Sequence, residues 1–136
     1  MENCIFCKII EGQIPCTKVY EDEKILSFFS ITPHNQGHTL VIPKKHCRNL
    51  IDMDEETVIA LALAVQKITR AVYKGVKAEG INVIMNNEAP SGQVIFHAHT
   101  HIIPRFANDG LEPWDKNTPY QEGEEEKMAE MIKKEI

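Results

Sequence analysis

No stretch of this 136-residue sequence reaches the roughly 18 consecutive apolar residues that a membrane-spanning helix needs. The apolar segment of the N-terminal "MENCIFCKII" is also too short for a signal peptide. Both absences predict a cytoplasmic protein with no membrane partner. Basic charge is scarce: 15 Lys and Arg stand against 20 Asp and Glu, and the formal net charge is −5. A nucleic-acid polymer as main partner is therefore not expected, since that usually needs a basic stripe. A small anionic ligand stays open, because backbone dipoles and a few side chains outweigh net charge locally. Cysteine is sparse too. Four thiols in a reducing compartment do not make a disulfide framework. Repeats, low-complexity tracts and long linkers are missing. The expectation is one domain over residues 1–136, long enough to bury a core without staples.

What is present reads as alternating short strands around one long helix. "NCIFCKIIEG" is a short helix or turn ended by Gly12 and Pro15. "TKVYEDEKILSFFSI" is a hairpin with an acidic turn at Glu21–Lys24. After the loop "TPHNQGH", His38 to Pro43 form a buried strand halted by the proline. Asp54 to Lys77 form the long helix. Asp52 and Glu55 have capping-box spacing, Val58, Leu61, Val65, Ile68, Val72 and Val76 step by three or four, and Gly80 closes the segment. "INVIMNN" is a strand, "EAPSGQ" a turn, and "VIFHAHTHIIP" another strand. An irregular arm follows Arg105, and a helix starts near Glu124 with Met128, Met131 and Ile132 on one side. The order β-β-β-α-β-β predicts an α+β fold: a mainly antiparallel five-stranded sheet with its long helix on one face.

Three of the six histidines, His97, His99 and His101, recur at every second position of the last strand. Side chains two apart share a face. A core face would carry Val, Ile or Phe there, and burying unpartnered imidazoles costs about 1–3 kcal/mol each. Three readings follow. One is a polar strand that happens to hold histidine. The second is a metal site, although no Asp or Glu lies nearby in the segment. The third is covalent catalysis, with a neutral imidazole attacking an electrophile and a protonated neighbour serving the leaving group. Phosphorus suits the third, because phosphoimidazoles form and hydrolyse readily. Cys4 and Cys7 have C-x-x-C spacing: a redox pair, two small buried residues, or half of a zinc site that needs two further N or S ligands.

"HAHTHII" fits the H-x-H-x-H-x-x signature, and "CIFCKIIEGQIP", "KVYEDEKILSF", "GHTLVIPKKH", "NVIMNN" and "SGQVIFHAHTHIIPR" follow in family order. The chain resembles the Hint-type branch of the histidine triad (HIT) family over about residues 4–105. The arm and tail, 106–136, are not covered. The resemblance implies a homodimer that hydrolyses purine nucleotide derivatives at the α-phosphate, of phosphoramidate or dinucleoside polyphosphate type. It implies His99 as nucleophile, His101 as aid to the leaving group and His38 as the residue that orients the cluster. Asn86 and Gln93 match positions that hold the phosphate, with the "SGQ" turn supplying backbone N–H groups. Phe6, Ile10, Phe28 and Ile31 match an apolar base slot. It also implies a structural zinc on Cys4, Cys7, His46 and His97. Cys16 and Cys47 acquire no role, and Lys44 and Lys45 read as solvated surface. The chain departs from the family pattern at Ser30, where an Asp commonly takes the ribose hydroxyls, and at Val94, where some members have serine. Ser30 predicts weaker discrimination for ribose, and it motivates an alternative: a nucleotide-binding or adaptor protein with vestigial hydrolysis.

Overall fold

The computed structural model describes residues 3–112 and 118–136. Part of the arm expected after Arg105, residues 113–117, lies outside the described residues. Five strands form one antiparallel sheet in the order β1-β2-β3-β5-β4. They are β1 (Lys18–Glu21), β2 (Ile25–Phe29), β3 (Thr39–Pro43), β4 (Gly80–Ile84) and β5 (Thr100–Arg105). Helix α1 spans Ile5–Ile10, α2 spans Glu55–Gly75, and α3 spans Glu124–Lys133. The expected α+β architecture with one long and one short N-terminal helix is what the structure has.

Alternation along the central strands separates two apolar layers. Ile25, Val41 and Ile102 point to one face, where Leu61, Ala64, Ile68 and Val72 of α2 cover them. Leu26, Phe28, Leu40 and Ile42 point to the other, against Phe6, Ile9 and Ile10 of α1 and against Ile95. Each fully buried aliphatic contributes about 1.5–3 kcal/mol. Leu40 pairs with His101 across β3 and β5. His101 therefore stands on the face turned away from the long helix, and that face carries the site.

Four expectations need correction. The cap of α2 is Asp54, whose carboxylate accepts from the Thr57 backbone N–H. Asp52 instead accepts from the Arg48 and Asn49 N–H groups, so it closes the preceding turn. Helix α2 ends at Gly75, earlier than Lys77, with Lys77 at φ 55°; Gly80 opens β4. Strand β4 stops at Ile84, short of Asn87. The last strand begins at Thr100, six residues after Val94. Residues 94–99 spend their polar groups elsewhere: Ala98 N–H donates to the Cys47 carbonyl, and the Gln93 carboxamide donates to the carbonyls of Arg48 and Ile95. Those bonds replace a ladder.

Candidate active site and metal cluster

His97 and His99 thus precede the strand and only His101 lies on it. Their rings still form a file, and each ring is fixed by a different partner. His97 is fully buried, with Nε2 at 2.8 Å from the Pro43 carbonyl. A carbonyl only accepts, so Nε2 holds the hydrogen and Nδ1 is left with its lone pair. Nδ1 faces sulfur, 3.5 Å from Cys4 Sγ and 3.6 Å from Cys7 Sγ. Cys7 Sγ also lies 3.3 Å from His46 Nδ1. The donor atoms of Cys4, Cys7, His46 and His97 all fall within 4.8 Å of one another.

Tetrahedral zinc with ordinary Zn–S and Zn–N bonds separates S from N by about 3.6 Å. The observed spacings match, and two thiols with two imidazoles are a zinc donor set. The Pro43 carbonyl supplies the outer hydrogen bond that orients a ligating imidazole. Burial, followed by the hydrogen bond and charge of Cys4, pushes the Cys7 thiol up to about 11. A bound cation would offset that penalty by pairing with the thiolate.

His99 is wired in the opposite sense. Its Nδ1 donates to the His97 carbonyl at 2.7 Å, which leaves the Nε2 lone pair free. Burial lowers its pKa from the ordinary value, opposed by the bond to His97. The ring is therefore neutral near pH 7. His101 receives its tautomer from a relay. The His34 backbone N–H donates to His38 Nδ1 at 3.1 Å, so His38 holds its hydrogen on Nε2. His38 Nε2 then donates to His101 Nδ1 at 2.9 Å, and His101 must carry its hydrogen on Nε2. Burial, with smaller help from neighbouring histidines, lowers both His38 and His101 to about 4. The rings of His99 and His101 lie 5.0 Å apart. A free lone pair and an N–H donor stand side by side.

Both rings line a cleft of about 350 Å³. Its walls include Phe6, Phe28 and Ile31, as the resemblance implied, Val94, already noted as a departure from the family pattern, and also Ile5 and Ile9, which were not singled out. Ile10 is displaced from the expected slot into the core beside Leu26. Ile31 is 94% exposed and Val94 84%, so the rim is apolar and open. Ser30 lines the cleft, with its Oγ accepting from the Thr32 N–H at 3.2 Å. Among the described residues the cleft wall holds no Asp, Glu, Lys or Arg.

Gln93 does not present its side chain to the cleft. Its Oε1 accepts from the Glu88 N–H and its Nε2 holds two carbonyls, so it knits the loop ahead of His97. Asn49 and Arg48 complete that knot through Glu88. Asn86 lies against Gly92, a cleft residue at φ 95°, where an added Cβ would meet its Nδ2 at 3.3 Å. The relay residue His34 was missed, although "HNQGH" places it four residues before His38. That bend needs Gly37, at φ 94°, where a Cβ would come within 3.0 Å of Val76.

The sequence matches the family model of the HIT domain over residues 11–108. The chain belongs to the HIT family. Within it, the relatives place the chain in the Hint-type branch. "Protein hit" of Bacillus subtilis is 50% identical over 111 residues, 81% of this chain and 77% of that protein. "Adenylylsulfatase HINT3" of Arabidopsis thaliana is 43% identical over 80% of this chain and 55% of its own length. "Adenosine 5'-monophosphoramidase hnt1" of Schizosaccharomyces pombe is 40% identical over 76% of this chain and 74% of its own. The solved structure of SMU.412c from Streptococcus mutans superposes with a TM-score of 0.94 at 45% identity, over 99% of this chain and 86% of that one. A zinc-bound histidine triad protein from Mycobacterium smegmatis superposes at 0.77 and 36% identity, with 97% of each chain covered. Among the described residues of this HIT protein, no helix is long and apolar enough to cross a membrane.

Proposed function

We propose that this HIT protein is a cytoplasmic nucleotidyl hydrolase that cleaves purine nucleotide derivatives at the α-phosphate, with an amine, phosphate or second nucleotide as leaving group. The observation that carries the reading is the opposed wiring of two adjacent rings. His99 offers a lone pair on Nε2, and His101 offers a hydrogen on Nε2. The His99 Nε2 pair attacks phosphorus, and the bond from phosphorus to the leaving atom breaks. The His101 Nε2–H hydrogen-bonds to that atom as it departs, the atom takes its proton from solvent water, and His38 holds His101 in the donor tautomer. Water then attacks the nucleotidyl-histidine, giving its proton to solvent, restoring neutral His99 and releasing the nucleoside monophosphate. Phe6, Phe28 and Ile31 take the base, and Asn86 with the turn before Val94 takes the phosphate end. The names of the S. pombe and Arabidopsis relatives, a monophosphoramidase and an adenylylsulfatase, support this class.

Zinc on Cys4, Cys7, His46 and His97 ties the N-terminal segment to the sheet and plays no part in bond cleavage. The donor spacings and the zinc-bound relative support it. Residues 1–136 are read as one domain with its core at 4–105. It works as a homodimer, supported by the unpaired edge strand β4 and by exposed Ile59, Leu63 and Val83.

The test is release of AMP from an adenosine phosphoramidate. The expected result is turnover that His99→Ala removes and a nucleotide adduct on His99 in quenched mixtures. Full rate in the variant refutes the mechanism. One observation favours a second reading, a nucleotide-binding adaptor: the sugar end of the cleft has Ser30 and no carboxylate. Calorimetry with AMP separates them, since tight binding with negligible turnover supports the adaptor. On the hydrolase reading, ribo- and 2'-deoxyribonucleotide substrates differ by less than about tenfold in kcat/KM, because a lost neutral hydrogen bond is worth about 0.5–1.5 kcal/mol. Ser30→Asp should widen that ratio.

A further inference from the structure

The cysteine–histidine cluster and the cleft share two mechanical links. The first is His97 itself: its ring sits among the thiols while its carbonyl holds His99 Nδ1. The second is Phe6. This residue lies between Cys4 and Cys7 on α1 and is 3% exposed. Its ring meets His97 edge-on at 5.8 Å, His99 at 5.2 Å and Phe28 at 5.6 Å. Helix α1 has only six residues, too few to hold its shape alone. Its first turn is anchored by Cys4, which caps it by accepting from the Cys7 N–H. The Phe6 ring thus has its angle set by two cluster residues, one on each side.

We propose that Phe6 is a positioning residue for the His99 imidazole, and that the Cys4, Cys7, His46 and His97 cluster acts on catalysis by holding Phe6 and the His97 carbonyl in place. This rests on His99 being the nucleophile. One hydrogen bond to Nδ1 leaves the imidazole free to tilt about that bond. An aromatic edge packed at 81° to the ring plane closes off the tilt. A nucleophile free to swing loses alignment with phosphorus, and small misplacements are costly in rate. A cluster with a purely architectural role would affect stability alone. A Phe6 that only lined the cleft would affect substrate binding alone.

The experiment uses the full chain with two variants. Phe6→Leu keeps an apolar wall and an intact cluster but removes the flat edge. Cys7→Ser lies outside the cleft lining but breaks the cluster. Both are assayed below their melting temperatures with an adenosine phosphoramidate, and His99 is followed by long-range ¹H–¹⁵N spectra of its ring, assigned by its loss in His99→Ala. The expected result is a drop of about tenfold or more in kcat with KM changed by less than about threefold, together with moved or broadened His99 ring signals. Unchanged kcat and His99 signals in folded variants overturn the proposal. So does a rise in KM alone. If Cys7→Ser does not fold, Phe6→Leu decides. The ring spectra need no turnover, so an inactive wild type would sink the hydrolase reading and still leave positioning measurable.

Discussion

His97 and His99 are two residues apart, identical in type and both buried, yet the structure gives them opposite electronic faces. His97 gives its Nε2 hydrogen to Pro43 and turns Nδ1 toward sulfur. His99 gives its Nδ1 hydrogen to the His97 carbonyl and turns Nε2 toward the cleft. The difference is set by which backbone carbonyl each ring can reach. A tautomer is therefore a property of the surrounding chain, and a run of like residues can turn opposite ring nitrogens to two different surroundings.

The largest expected effect comes from deleting the two rings in turn. His99→Ala should lower turnover at least about 10³-fold while leaving the melting temperature within a few degrees. His97→Ala should do the reverse in emphasis: lost metal and a melting temperature lower by roughly 10 °C. Activity and thermal scans on the two variants check this. Equal loss of stability in both would erase the distinction.

Much of this division was legible beforehand. The H-x-H-x-H spacing and C-x-x-C with His46 marked both donor sets, and the structure brings Cys4, Cys7, His46 and His97 together as the resemblance implied. The strand that carries the triad was misjudged, because apolar alternation from Val94 to Pro104 fits a strand. The partners that interrupt it are the Cys47 carbonyl, from distant chain, and the side-chain carboxamide of Gln93 just ahead of it, itself held by the distant Arg48 carbonyl. Gln93, matched by the resemblance to the phosphate end, has its side chain tied to Arg48, Asn49 and Glu88, and the first two lie more than forty residues away in sequence. The relay through the His34 backbone amide was legible only as the spacing in "HNQGH", since a main-chain donor has no side-chain signature.

A smaller effect separates the two donors on the cleft side. His38→Phe keeps bulk but removes the hydrogen that fixes His101. His101 Nδ1 is then free to take the hydrogen, and Nε2 loses its donor role in part of the population. Turnover should fall by about 10- to 100-fold with KM nearly unchanged and with metal content intact. Steady-state kinetics beside metal analysis measure both ends at once. A loss of metal in this variant would mean that cleft and cluster do not separate at His99.

The smallest effect is in pH, and it tests whether burial keeps the relay neutral. His38 and His101 are lowered to about 4, so they stay neutral well below the ordinary titration of histidine. Between pH 8 and about 5.5, kcat/KM should change by less than about twofold from these groups, then fall as protonation removes the His101 acceptor and breaks the relay. Stability follows the same groups with a definite sign. The unfolded chain takes up protons near pH 6.5, and the folded chain takes them up only near 4. Lowering the pH through that window favours the unfolded state, so the urea midpoint should drop from pH 7 to pH 5, and below 4 it should fall further as the depressed carboxylates of Asp54 and Glu88 protonate. His38→Phe should flatten part of that slope, since one depressed imidazole is gone, whereas Lys24→Gln on the surface should leave it unchanged. A kcat/KM already halved at pH 6.5 would mean that water reaches the relay rings, and the neutral donor assigned to His101 would fail with it.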